Sequence, residues 1–417
     1  QGMRVLGVAQ AEVAGSSEHP ERWPFVFLGL VAFADPLRAE VPAALAEATR
    51  AGIRVVMMTG DYPATAATVA RQAGINVSAG VLTGREVAEL SFEALSRRLE
   101  QVRVFARIFP EQKLRIVEAL KADGEVVAMT GDGVNDAPAL EAAHIGMAMG
   151  RRGADVAREA SDLVLLDDSF SSIIGGVRLG RRIFANLRRA LTYVTAIHVP
   201  IAGLALAPIL LGMPPLLLPM HVVLLELVID PTCALVFEVE PSDERAMQRP
   251  PRPRDQPLFG PLQIAFAALQ GSIILVAVLA VYALGLQRSA EATMARGGAF
   301  IALIVSLLCL GLANSMSSSG LFAPHRAIYW AIAGVVAVIL TAVFAVPALA
   351  AIFEVSSPGL LVLAVAIAAG VAVGSWPVLR LSISAPATAW PFRRRERQPR
   401  SAIWPQRPPA KLRPPTL

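Results

Sequence analysis

Cysteine is nearly missing from this chain of 417 residues. The two present, Cys233 and Cys309, both fall inside apolar runs, which excludes a disulfide framework. No cleavable secretory leader is visible at the start, as expected for a fragment or for a protein inserted through its own helices. Charge is scarce between residues 191 and 381, where four of six long apolar stretches hold no Asp, Glu, Lys or Arg in their cores and the first carries only His198. The apolar fraction of 54% exceeds the ~50% at most of an ordinary soluble protein, and the mean hydropathy is positive at +0.54. Residues 1–190, by contrast, are charge-rich. An entirely soluble chain is therefore excluded, and the length allows two or three domains. No nucleic-acid partner is expected.

The charge-rich half alternates strand-like and helix-like segments. Strands are predicted at Ile53–Met58, Val102–Phe105, Glu125–Met129 and Asp162–Leu166. Helices are predicted from Pro63 to Gly74, with Pro in the first turn and Gly at the end, and from Pro110 to Ala122. Such alternation implies a doubly wound parallel sheet. From Asp168 to Ala190 an apolar stripe that includes Ile174 and Ile183 runs beside Arg178, Arg181, Arg182, Arg188 and Arg189. This reads as a basic stalk entering a membrane, with the Arg excess marking the cytoplasmic side.

Six spans are predicted, at 191–211, 215–237, 260–286, 299–319, 327–353 and 357–380, each long enough to cross ~30 Å of hydrocarbon. The loop Arg245–Arg254 holds four Arg, and the Pro-rich tail after Pro391 holds eight Lys or Arg against one Glu. Both agree with cytoplasmic placement, as does an even number of spans. The second span departs from the rest by carrying Glu226, Asp230 and Pro231. Carboxylates in a span are costly and mark functional candidates. Four residues apart, they share a helix face. Pro231 has no N–H, so the carbonyl of Leu227 loses its helical partner. Two carboxylates and a freed carbonyl can converge on one cation; neutral carboxyls in interhelical hydrogen bonds are the alternative.

The most informative string is Thr130-Gly-Asp-Gly-Val-Asn-Asp-Ala-Pro-Ala-Leu140. It follows a predicted buried strand, at whose carboxyl end ligands bind in open α/β sheets. Asp132 and Asp136 on one glycine-bearing loop suit a hard, oxygen-ligated ion such as Mg²⁺ near a phosphate.

This string resembles the hinge motif of the P-type ATPases, ion pumps built on a haloacid-dehalogenase-like phosphorylation domain. Asp35-Pro-Leu-Arg38, Met58-Thr-Gly-Asp61, Phe105-Ala-Arg107 with Pro110-Glu-Gln-Lys113, and Gln248-Arg-Pro-Pro-Arg252 resemble further motifs of that family in the right order. The closest group is calcium-pump-like, its bacterial members in particular. The family's phosphorylated Asp-Lys-Thr-Gly-Thr string does not occur here. Nor does its Thr-Gly-Glu actuator loop or a Pro-Glu-Gly-Leu-like fourth-helix motif. The resemblance therefore implies the C-terminal part of a longer pump whose N-terminal part is a partner.

The implied fold is an α/β haloacid-dehalogenase-like parallel-sheet domain followed by an all-α six-helix transmembrane domain. The implied division is 1–24 as a remnant of the nucleotide-binding domain and linker, 25–168 as the phosphorylation domain, 169–190 as stalk, 191–381 as membrane domain and 382–417 as basic tail. The resemblance further implies an integral protein of a bacterial plasma membrane, with the α/β domain and C-terminus cytoplasmic, that uses ATP and Mg²⁺ to move a cation.

By the same resemblance Asp132 holds Mg²⁺ with Asp136 in support, and Lys113 offsets charge on the phosphoryl oxygens. Thr59 and Gly60 donate to those oxygens beside Asn135, and Asp35, Arg38, Asp61 and Arg107 line the nucleotide side. Asp230 aligns with a sixth-helix Asp of calcium pumps, whereas Glu226 stands at an Asn position and Ile229 at a Thr position. In the fifth helix His198 stands at an Asn position and Ile201 at a Glu position. The ion therefore stays open between Ca²⁺ at a single site, another cation and protons. His198 is open as ligand, proton carrier or helix-to-helix hydrogen bonder. Two other functions stay open as well: a membrane-anchored phosphatase of the same superfamily, and a truncated, non-catalytic scaffold or regulator.

Overall fold

The computed structural model describes residues 4–12, 19, 21, 23–33, 36–241, 243, 245–253, 257–288, 291–315 and 320–383, with the backbone alone for Cys233 and residues 378–383. Strands β1 (Arg4–Gln10) and β2 (Val26–Phe33) form an antiparallel hairpin. Its apolar side chains, including Val26, Phe27 and Leu30, are exposed on both faces.

The α/β region begins with α1 (Val41–Arg50), β3 (Met57–Met58), α2 (Pro63–Ala73), β4 (Val81–Thr83), α3 (Gly84–Glu89), α4 (Phe92–Leu99), β5 (Val104–Ala106) and α5 (Pro110–Ala122). It continues with β6 (Ala128–Gly131), α6 (Ala137–Ala142), β7 (Ile145–Met149), α7 (Asp155–Glu159) and β8 (Leu163–Leu165). Local chemistry sets these boundaries. Pro42, Pro63 and Pro110 sit in first turns, where a missing N–H costs nothing. Gly74 ends α2 with φ 85°, a conformation that favours glycine. Thr83 and Glu86 cap α3 reciprocally.

All pairings in this region are parallel, as expected, but the single doubly wound sheet is replaced by two three-stranded sheets, ordered β3-β5-β4 and β6-β7-β8. The apolar run from Ile53 pairs only at Met57 and Met58, because β5 offers its ladder from Val104 onward. The sequence reading missed β4 and β7. Both half-sheets contribute to one core, in which Phe105, Ile116, Met129 and Ala148 are buried together. Arg54 and Glu125 form an ion pair at 3.4 Å across the starts of the two halves.

Stalk and first span form one helix, α8 (Phe170–Leu210), of 41 residues. Asp167 accepts from the Ser169 amide at 3.0 Å and from the Ser172 hydroxyl, which sets the helix start. The Ser172 bond, then the Ser169 amide, hold the Asp167 carboxyl below its ordinary range. Arg181 on α8 donates to the carbonyls of Ala51 at 2.8 Å, Ala246 at 2.6 Å and Arg249 at 2.8 Å. At the same joint a Cβ on Gly52 would lie 2.8 Å from the Pro250 backbone, so α1 and the Arg-Pro-Pro loop touch.

The predicted second span is not one α-helix. It is α9 (Pro219–Pro231), a π-helical turn (Thr232–Val236) and α10 (Phe237–Val239). Pro231 cannot donate, so the ladder shifts register there, and the Thr232 hydroxyl donates to the carbonyl of Val228 at 2.8 Å. Next come α11 (Pro261–Arg288), α12 (Ala292–Ser315), α13 (Ala327–Ala345), α14 (Pro347–Ile352) and α15 (Leu360–Ile383). Pro347 divides the predicted fifth span into α13 and α14. Among the described residues five helices, not six, are long and apolar enough to cross a membrane. Their shared core buries Tyr193, Ile274, Phe300 and Leu307.

Two buried polar clusters pin the ends of this bundle. At one end Arg296 donates to Pro215 O at 3.1 and 3.0 Å and to Glu354 O at 2.7 Å. At the other, Glu240 (1% exposed) faces Arg326 (2% exposed) at 3.4 Å, and its carbonyl accepts from Asn186 of α8 at 2.9 Å. Removing one partner of a buried pair strands the other charge, at a cost of about 3–5 kcal/mol. Arg326→Met should therefore lower the unfolding midpoint of the chain in detergent micelles. The double variant Arg326→Met with Glu240→Leu should recover most of that loss. A midpoint unchanged by Arg326→Met would show the pair to be energetically silent.

Candidate phosphate and cation sites

The polar motif residues gather where parallel strands end. After β3 the chain turns through Thr59, Gly60 and Asp61. The Thr59 hydroxyl donates to the Asp61 carboxylate at 2.9 Å, and the Asp61 amide donates back to that hydroxyl at 3.1 Å. The loop after β5 docks on this turn. Ile108 N donates to Thr59 O at 3.1 Å and Arg107 N to Asp61 O at 3.1 Å. Arg107 adopts a left-handed backbone (φ 54°) and lays its guanidinium 4.6 Å from the centre of the Tyr62 ring. Thr59, Gly60, Asp61 and Arg107 thus form one unit. Tyr62 belongs to it and was not picked out from the sequence; an aromatic residue directly after the Thr-Gly-Asp turn was the available signal.

A second unit joins the two half-sheets. Pro110 starts α5, and Gln112 accepts from the Phe109 amide at 2.9 Å, which leaves Lys113 on the first turn. Lys113 Nζ meets Asp136 Oδ1 at 2.5 Å, and Gly133 N donates to Asp136 Oδ2 at 3.2 Å. Asp136 is only 6% exposed, so the attraction acts with little solvent screening. Gly131 makes this geometry possible, because a Cβ there would sit 2.4 Å from Asp136 Cβ and 2.7 Å from its Cγ.

Asp132 and Asn135 point to solvent on the same loop. The Asp132 carbonyl accepts from Ala154 N at 2.8 Å, and its carboxylate makes no hydrogen bond or ion pair among the described residues. No group of three His, Cys, Asp or Glu side chains that could hold a metal converges among the described residues. One free carboxylate in an open loop still fits Mg²⁺, which keeps several waters and takes one or two carboxylates plus phosphate oxygens. Asp136 is occupied differently, by Lys113 and a backbone N–H. Arg38 donates to the carbonyl of Asp168, and no contact among the described residues joins it to Asp61 or Arg107. Asp35 lies outside the described residues.

In the membrane region Leu224, Leu225, Val228 and Ile229 form the buried side of α9, whereas Val223, Glu226, Leu227 and Asp230 are exposed. The two carboxylates do share a helix face, and it points away from the chain's own bundle. His198 is exposed as well, with its Nδ1 2.7 Å from Val194 O.

The Gly131 geometry yields a direct expectation. Gly131→Ala forces Asp136 away from Lys113, at a cost on the order of 1–3 kcal/mol for overpacking. The unfolding midpoint should fall, and the Gly133 amide should exchange hydrogen faster as its acceptor moves. A Gly133 amide as protected as in the wild type would refute this account of the loop.

Comparison with known proteins places both regions. Residues 9–144 match the family described as haloacid dehalogenase-like hydrolase, and residues 214–382 match cation transporting ATPase, C-terminus. Calcium-transporting ATPase 1 of Yarrowia lipolytica is 35% identical over 364 residues, which is 85% of this chain and 39% of that protein. Probable cation-transporting ATPase F of Mycobacterium bovis is 36% identical over 370 residues, again 85% of this chain and 40% of the relative. A calcium-transporting ATPase of Bacillus subtilis is 40% identical over 264 residues, 62% of this chain and 30% of that protein. The chain spans about two fifths of the length of the first two relatives. A hydrolase-type parallel α/β region carrying Lys113 and Asp136, joined by one helix to an apolar bundle and matched in this way on both sides, belongs to the P-type cation-transporting ATPases and corresponds to their C-terminal part.

Proposed function

We propose that this chain supplies the phosphate-handling loops and the ion-conducting helices of an ATP-driven cation pump, whose phosphorylated Asp lies in sequence outside it. The observation that carries this reading is the buried Lys113–Asp136 pair, held at 2.5 Å beside a glycine-bearing loop in a domain that runs through α8 into the membrane bundle. Phosphoryl transfer needs positioning and charge neutralisation more than covalent chemistry from its surroundings. Lys113, oriented by Asp136, presents positive charge toward the phosphoryl oxygens. Thr59 and Gly60 offer donors, and Asp61 and Arg107 border the nucleotide side, with Asp35 and Arg38 as further candidates. Asp132 would hold Mg²⁺, which offsets negative charge on phosphate when bound. Asn135 stands beside it.

Two features support a contribution from outside the chain. Both β3 and β6 are edge strands of their half-sheets, and Met58 and Met129 meet in one core. A strand bearing the acceptor Asp, supplied from outside this chain, would pair with these open edges. The outward face of α9 likewise sets Glu226 and Asp230 among Val223 and Leu227. Carboxylates facing lipid are costly, so further helices from outside the chain would cover this face and complete a cation site. His198 is a candidate for the same pathway. The α/β domain and the basic loop after α10 would lie on the cytoplasmic side.

Three outcomes are expected. This chain by itself should form no acid-stable phosphoenzyme from γ-labelled ATP, and robust hydroxylamine-sensitive labelling would overturn the assignment of the acceptor Asp to sequence outside it. In the complete pump Asp132→Asn should lower Mg²⁺-dependent phosphoenzyme about 100-fold or more; near-normal levels would move the metal ligand elsewhere. Glu226→Gln and Asp230→Asn should each lose ion-stimulated ATPase activity but still accept inorganic phosphate, because linkage favours the phosphate-accepting form when the ion site is lost. Full ion-stimulated turnover in both variants, screened across Ca²⁺, Mg²⁺, Mn²⁺, Na⁺, K⁺ and pH, would place the pathway elsewhere.

A further inference from the structure

Asp168 is a buried carboxylate (5% exposed) to which neither the phosphate chemistry nor the cation site assigns a role. It sits between β8 and α8 in a left-handed backbone conformation, φ 55°. Its two oxygens divide between two neighbouring donors. Oδ1 accepts from Arg151 N at 3.0 Å, and Oδ2 from Arg152 N at 3.1 Å. Its carbonyl accepts from the Arg38 guanidinium. The loop it grips follows β7, and its glycines leave no room for side chains. A Cβ on Gly150 would lie 2.9 Å from Leu165 O, and one on Gly153 would lie 1.9 Å from Met149 O. The far end of the loop bonds to the phosphate side, where Ala154 N donates to the Asp132 carbonyl at 2.8 Å. One tight segment therefore has the Asp132 loop at one end and the base of the 41-residue helix α8 at the other.

We propose that Asp168 is a positioning residue that clamps the 150–154 loop to the base of α8, so that a shift of the Asp132 loop reaches the membrane helices as a shift of α8. A bidentate carboxylate on two consecutive backbone N–H groups resists rotation as well as separation. Arg38 closes the clamp from a third segment by holding the carbonyl of the same residue. Coupling between distant sites requires an element that both sites bias, and α8 is the continuous element here. The inference rests on the pump reading and goes beyond it by naming the joint.

Asp168→Asn preserves shape and leaves one acceptor oxygen, while its NH₂ group opposes one of the two backbone donors. In this chain, in detergent, the variant should speed exchange of the Arg151 and Arg152 amides about tenfold and leave the amides of β6 protected. In the complete pump its phosphoenzyme from ATP should stay within about twofold of wild type, while ion-stimulated turnover falls about tenfold, the size by which mutations in a connecting element modulate coupling. Asp168→Gly, which keeps the left-handed backbone and removes the carboxylate, should behave alike. A role in stability alone predicts a different pattern, with phosphoenzyme and turnover falling together. That parallel loss, or wild-type turnover in both variants, overturns the proposal. If the wild-type complete pump forms no phosphoenzyme at all, it is the pump reading that fails.

Discussion

One continuous helix constrains everything else in this molecule. At 1.5 Å per residue, the 41 residues of α8 extend about 60 Å, roughly twice the hydrocarbon thickness of a bilayer. Its first half therefore belongs to the α/β domain and its second half to the apolar bundle. Asp167 and Ser169 set where it begins, and Asp168 holds the neighbouring loop. Arg181 fastens it to the end of α1 and to the Arg-Pro-Pro loop. Asn186 ties it to Glu240, which in turn pairs with Arg326. These attachments pair polar side chains with backbone N–H or C=O groups, or with a carboxylate, the type of contact whose loss is costly once water is excluded.

The polar chemistry of the α/β region follows from strand direction. In parallel sheets all carboxyl ends lie at one edge, so loops far apart in sequence collect there. The Thr59 turn meets the Arg107 loop for that reason, and Lys113 meets Asp136 more than twenty residues further along the chain. The glycines have a steric task. At position 131 even a methyl group would enter the space of the Asp136 side chain. Asp136 is thereby held for Lys113, while Asp132 stays exposed on the same loop.

The membrane region answers to different physics. Its helices are apolar around most of their circumference, so packing selects which face turns inward. On α9 it buried Leu224, Leu225, Val228 and Ile229 and left Glu226 and Asp230 outside. Proline then set the breaks, at Pro231 through a π turn and at Pro347 between α13 and α14.

Much of this was legible in the residues themselves. The class of each half follows from hydrophobic period and run length, which are local properties. Helix starts at Pro63 and Pro110 follow from the chemistry of a missing N–H, and the end at Gly74 from a backbone that only glycine adopts cheaply. The motif strings marked the Thr59 and Asp136 loops as chemical. Other features could be decided only in three dimensions. The short strands β4 and β7 acquire their identity from ladder partners supplied elsewhere in the chain. The exposure of Glu226 and Asp230 depends on which face of α9 the rest of the bundle covers. Asp168 reads in sequence as one of two adjacent acids before a helix. Its hold on Arg151 and Arg152 exists because β8 runs parallel to β7 and delivers Asp168 beside the loop that leaves β7. Periodicity and motif are written along the chain, whereas contacts between distant segments depend on how sheets and helices close on one another.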